Sequence, residues 1–139
     1  LARHDRIKLI IDSRLSDVRL VGASVRSIGL AAGFDDRDAG MLQLALEEAL
    51  TNVIRHGYQE RPGHPVEVEV NLRPDRMTFV VTHQGEGMRS WPPKTDQPPD
   101  PTQEGGRGIF LINAIMDSVR YSAKDGRTCI TLIKRRAAK

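Results

Sequence analysis

Glu48 and Asn52 lie four residues apart, within a stretch where Leu42, Leu46, Leu50, Val53 and Ile54 recur at helical spacing. Four residues make about one helical turn, so the carboxylate and the amide share a face. An Asn amide offers a neutral oxygen of the kind that ligates Mg²⁺. A Glu beside it can serve as a base, or orient a water or a hydroxyl. The same face carries Met41, Leu44 and Ala45, which suit a pocket wall better than open solvent. An ordinary exposed polar face is the alternative, and spacing alone does not separate the two.

Two glycine clusters offer a second kind of chemistry. Gly85-Glu86-Gly87 directly follows a β-patterned run, and Gly105-Gly106-Arg107-Gly108 precedes a short apolar run. Glycine backbone approaches phosphates closely, and the start of a helix presents N–H donors to an anion. Flexible hinges would use the same glycines. Arg107 either reaches a terminal phosphate or faces solvent. His56, one turn beyond Asn52, is either part of the site or a helix-end residue. Trp91 either anchors a partner or packs a lid shut. No G-x-x-x-x-G-K-[ST] loop and no G-x-S-x-G elbow occurs, which excludes a P-loop enzyme and a nucleophile-elbow hydrolase.

The elements that must position these residues follow from periodicity. A β-branched, apolar run at 7–11 predicts a first strand. Ser13 or Ser16 can cap a helix to about Ala32, with Leu15, Val18, Val21, Val25, Ile28 and Leu30 as its apolar positions and Gly33 as its stop. A second helix opens at Asp35-Asp36 and runs to about His56, where Gly57 ends it. Val66, Val68 and Val70 alternate with Glu67 and Glu69, a half-buried strand. Arg73-Pro74-Asp75 turns it back into a partner strand at 77–82. Residues 88–104, with five prolines between Pro92 and Pro101, have the composition of a functional lid or of a disordered insert. A short helix at 109–116 and strands at 119–123 and 128–134, joined at Asp125-Gly126, complete the chain. Strands in adjacent pairs rather than in βαβ alternation predict an α/β two-layer sandwich. Its sheet is mixed and mostly antiparallel, with helices on one face.

All this fits one domain of 139 residues with a real core. With 39% hydrophobic and 28% charged residues the chain falls in the soluble globular range. No run is apolar for long enough to span a bilayer, and no leader-like segment opens the chain. A single cysteine, Cys129, forbids an internal disulfide and points to the reducing cytoplasm. The net charge of +3 owes much to Lys134-Arg135-Arg136 and Lys139. A solvated tail accounts for that run. A nucleic-acid-binding domain is the sharper reading, but no aromatic residues interleave with the charges.

The segment Glu48-Ala49-Leu50-Thr51-Asn52-Val53-Ile54-Arg55-His56-Gly57-Tyr58 resembles the N box of the anti-sigma-factor serine kinases, within the histidine-kinase-like ATPase superfamily of gyrase and the histidine kinases. Gly105-Gly106-Arg107-Gly108-Ile109-Phe110-Leu111-Ile112, with Met116-Asp117, resembles their second glycine box and the helix after it. Thr128, followed by Ile130 and Leu132, is similar to their last-strand threonine motif. The resemblance covers almost the whole chain, in order. It implies the histidine-kinase-like ATPase fold, ATP and Mg²⁺ as ligands, and a sigma factor and an anti-sigma-factor antagonist as partners. Direct nucleic-acid and membrane contacts are not expected, and a homodimer is allowed.

At matching positions the resemblance implies that Glu48 helps activate a serine hydroxyl and that Asn52 ligates Mg²⁺ at the ATP phosphates. Gly85, Gly87, Gly105, Gly106, Arg107 and Gly108 would frame the nucleotide, and Thr128 would lie near the adenine. The family's first glycine box opens with an Asp that accepts a hydrogen bond from the adenine amino group; here that position is His83. A regulatory module that keeps the fold and has lost catalysis is therefore the rival expectation.

Overall fold

The computed structural model describes residues 5–84 and 107–136. The elements are β1 (Asp5–Asp12), α1 (Leu15–Ala31), α2 (Asp36–Asn52), a π-helical turn (Val53–Gly57), β2 (Pro65–Leu72), β3 (Arg76–His83), α3 (Arg107–Ile115), β4 (Ser118–Lys124) and β5 (Arg127–Arg135). The strands form one sheet in the order β1-β2-β3-β5-β4, and each neighbouring pair is antiparallel. The expected α/β architecture is what the chain adopts, with a fully antiparallel sheet among the described residues in place of the mixed one.

Register makes the alternation in the sequence into two distinct sheet faces. One row runs Ile7, Val70, Phe79, Leu132, Val119, and the next runs Leu9, Val68, Val81, Ile130, Tyr121. These residues join Val18, Val21 and Val25 of α1, Leu42, Leu46 and Leu50 of α2, and Ile112 of α3 in a single core. The opposite face carries polar residues, with Arg6 and Lys8 of β1 paired to Glu69 and Glu67 of β2. Such exposed pairs contribute little to stability, about 0–1 kcal/mol each. They do blunt the edge of the sheet with charge. Among the described residues no helix is long and apolar enough to cross a membrane.

The helix ends depart from the simplest reading in two places. Neither Ser13 nor Ser16 caps α1. The cap is Arg14, in extended conformation and with no side-chain capping bond. Ser13 is committed elsewhere: its hydroxyl donates to Arg61 O at 2.6 Å and accepts from His64 N at 3.1 Å, fastening the loop before β2. Leu15 and Leu30 also lie outside the buried stripe of α1, at 36% and 41% exposure. They fall off the arc that Val18, Val21 and Val25 turn inward.

The other ends match their chemistry. Gly33 takes φ +99 and donates to Leu30 O while Phe34 N bonds Gly29 O at 3.0 Å, the double bond of a Schellman stop. Asp35 caps α2 by accepting from Asp38 N at 2.8 Å. Asp125-Gly126, both at positive φ, forms the two-residue turn between β4 and β5.

Candidate functional site

α2 carries Glu48 and Asn52 towards α3. Leu42, Leu46, Ala49 and Leu50 are buried on one side of the helix, which leaves Glu48 and Asn52 half-buried on its flank. Ala45 continues that flank inward, Met41 is half-buried, and Leu44 is exposed at 41%. α3 is held by its own stripe, since Ile109, Ile112, Ile115 and Met116 are all buried. Its N-terminus thereby meets the Glu48–Asn52 flank. A Cβ built on Gly108 would overlap Glu48 Oε2, and would lie 3.4 Å from Glu48 Cδ and 3.6 Å from Asn52 Nδ2. Any larger residue at position 108 would require the Glu48 carboxylate to move from its place against the α3 backbone.

Two features of this junction suit an anionic ligand with its cation. The start of a nine-residue helix lies against Glu48 and Asn52, and helix N-termini favour negative charge. Asn52 Nδ2 is buried and has no hydrogen-bond partner among the described residues. A buried polar group left this way costs about 1–3 kcal/mol, which a ligand can remove. An Asn amide can present its oxygen to a cation and its NH₂ to a phosphate oxygen. Mg²⁺ commonly takes only one or two protein ligands, with substrate phosphates and water completing the shell. Among the described residues no group of three His, Cys, Asp or Glu side chains could hold a metal by itself.

His83 ends β3 on the inner face, directly opposite Thr128 of β5. Its ring is 1% exposed. Desolvation by burial lowers its pKa to about 4, so the imidazole is neutral at physiological pH. Thr128 is half-buried beside it. The end of the sheet therefore presents a neutral ring and a hydroxyl-bearing residue, with no ionised carboxylate at position 83.

A histidine kinase-like ATPase domain model matches residues 11–134, nearly the whole described chain. The chain belongs to the histidine kinase-like ATPase family. Within it, the chain is similar to proteins named serine-protein kinase RsbW. The chain is 30% identical over 129 residues to a serine-protein kinase RsbW of Halalkalibacterium halodurans, covering 88% of this chain and 78% of that protein. It is 26% identical over 137 residues to an RsbW of Bacillus cereus strain AH187, covering 94% and 85%. A crystal structure of the RsbU and RsbW domains of a Mycobacterium tuberculosis protein superposes with a TM-score of 0.67 at 19% identity, over 94% of this chain and 32% of that one. That likeness shows the shared fold.

Of the residues singled out in the sequence, the ATPase fold brings Glu48, Asn52 and Gly108 into one junction. His83 and Thr128 come together at the sheet end. Arg107 opens α3. His56 is exposed on the π-helical turn, away from the buried side of α2. Gly85, Gly87, Gly105, Gly106, Trp91 and the lid at 88–104 lie outside the described residues.

Sequence reasoning did not assign a role to Tyr58. It is 4% exposed, and its hydroxyl donates to Pro65 O at 3.2 Å and accepts from Gln84 N at 2.8 Å. Its ring stacks on His64 at 4.8 Å and meets His83 edge-on at 5.8 Å. The one signal in the sequence was an aromatic residue placed immediately after the glycine that ends the α2 segment.

Proposed function

We propose that this chain binds ATP with Mg²⁺ and phosphorylates a serine of an anti-sigma-factor antagonist, thereby setting how much sigma factor is held back. The observation that carries this reading is the junction of Glu48, Asn52 and Gly108 at the start of α3. Bound ATP supplies the phosphoryl group that the serine oxygen takes as the bond to the ADP oxygen breaks. Asn52 holds the cation at the phosphates, and Glu48 orients the serine hydroxyl and receives its proton. Phosphoryl transfer needs mainly positioning and charge neutralisation, and these residue types supply both. On this reading residues 1–139 act as one cytoplasmic domain, with 88–104 as the nucleotide lid. Phosphorylation adds a charge of about −1.5 to −2 to the antagonist and loosens its hold on this chain. Incubation with Mg-ATP and a cognate antagonist should yield phosphoserine on the antagonist; intact ATP binding without phosphoserine would eliminate the kinase reading.

That second outcome has its own support in His83. A protein-binding regulatory module of the same fold would tolerate a neutral, buried ring at the sheet end. Base reading separates the possibilities further. A hydrogen bond to an ionised acceptor contributes roughly 1.5–3 kcal/mol. Its loss weakens binding about tenfold to a hundredfold. His83→Asp is expected to tighten ATP binding by that order and to raise the preference for ATP over GTP. His83→Asn, neutral and of similar size to Asp, should do neither. The burial that lowers the histidine pKa would raise that of an aspartate, so affinities are best measured at mildly alkaline pH. Unchanged affinity and unchanged selectivity in His83→Asp would remove position 83 from base recognition.

A further inference from the structure

The helix that bears Glu48 and Asn52 ends in an unusual way. After Asn52 the backbone widens into a π-helical turn over Val53–Gly57. Tyr58 N bonds Val53 O at 3.1 Å, and Glu60 N reaches back to Ile54 O at 2.8 Å. Gln59 and Glu60 then both adopt left-handed backbone, at φ 53 and 60. Neither is glycine, and each such residue costs about 1–2 kcal/mol. π-Helical turns and strained, left-handed non-glycine residues are frequent at functional sites.

The side chain delivered by this geometry is Tyr58. Its ring is clamped between His64, stacked at 4.8 Å, and His83, edge-on at 5.8 Å. Its hydroxyl uses its donor on Pro65 O and accepts from the backbone N–H of Gln84. Gln84 is the residue at which the chain leaves β3 for Gly85-Glu86-Gly87. One buried phenol thus ties the end of the Asn52 helix to the point where the first glycine segment departs.

We propose that Tyr58 is a positioning residue of the nucleotide site, aligning the exit of β3, and with it the base end of the site, against the helix that carries Glu48 and Asn52. The proposal rests on the nucleotide reading above. On that reading the β3 exit receives the base and the start of α3 receives the phosphates. Tyr58 touches neither. It acts through the Gln84 amide and the His83 ring.

The test is Tyr58→Phe, which keeps the ring and removes only the hydroxyl. Without nucleotide, the Gln84 amide should exchange hydrogen faster than in the parent. Mg-ATP should bind about three- to tenfold more weakly, the range for one neutral hydrogen bond. Binding of Mg-tripolyphosphate, which lacks a base, should stay within about twofold, a change near the 0.4 kcal/mol that such a factor represents. Gln84→Pro removes the same bond from its donor side. Combined with Tyr58→Phe it should weaken Mg-ATP no further than either change alone. A role in stability only would lower the melting temperature while leaving the ratio of the two affinities as in the parent, and that result overturns the proposal. So does parent-like exchange at Gln84. A parent chain that binds neither Mg-ATP nor Mg-tripolyphosphate overturns the nucleotide reading itself. A parent that binds both, with Tyr58→Phe binding both equally well, overturns the role of Tyr58 alone.

Discussion

Glu48→Gln should leave Mg-ATP binding close to that of the parent while slowing phosphoryl transfer about a hundredfold or more, the usual scale for losing a general base. The substitution keeps size and hydrogen-bonding reach and removes only the ability to take a proton. Glu48 is half-buried, with its carboxylate against the backbone of Gly108. A Gln amide fits the same space, so the α2–α3 junction should persist. The proton of the serine hydroxyl then has no ionised acceptor at that point. Single-turnover transfer to a cognate antagonist separates this loss from any change in nucleotide affinity. Parent-like transfer would take Glu48 out of the chemistry, and loss of ATP binding in parallel would reassign it to holding the ligand.

Asn52→Ala is expected to do the reverse. Mg-dependent ATP binding should fall by about a hundredfold or more, beyond the tenfold to hundredfold that losing a mere supporting partner of a metal site costs. The fold should not suffer. Asn52 Nδ2 is buried without a partner among the described residues, so truncation removes an unmet hydrogen-bonding demand. Val53, Ile54, Ala49 and Leu50, which anchor this part of the helix, are untouched. Calorimetric titration with Mg-ATP, with and without chelator, reads the affinity, and a melting curve reads the fold. A mutant that melts early without a specific loss of Mg-ATP binding would make Asn52 a packing residue.

Much of the fold was legible because the chain is locally consistent. Val66, Val68 and Val70 alternate with glutamates and became the buried row of β2. Gly33, Asp35 and Asp125-Gly126 marked helix and hairpin ends where the backbone needs those residues. The pairing of Glu48 with Asn52 was legible because helical spacing alone sets a shared face. Their meeting with Gly108 lies some 56 residues along the chain from Asn52, and no local rule reports it. Caps were misread where a tertiary partner outcompeted a local one, as Ser13 did by fastening 61–64. The second helix was foreseen to reach about His56. Its backbone does continue to Gly57, but the bonding changes at Val53 to a π-helical pattern, which no local spacing rule reports.

The order of strands has a consequence for how the molecule is made. β5 follows β4 in the chain yet sits inside the sheet, between β3 and β4. During synthesis, β3 keeps a bare edge and β4 has no strand to lie against until Arg127–Arg135 has left the ribosome. The β2–β3 hairpin can form early, but the sheet closes only when β5 emerges to lie between β3 and β4. Thr128 arrives on that same strand, opposite His83. A nascent chain that has not yet delivered Arg127–Arg135 therefore lacks both the finished sheet and the residue opposite His83, and emergence of that strand brings the two at once.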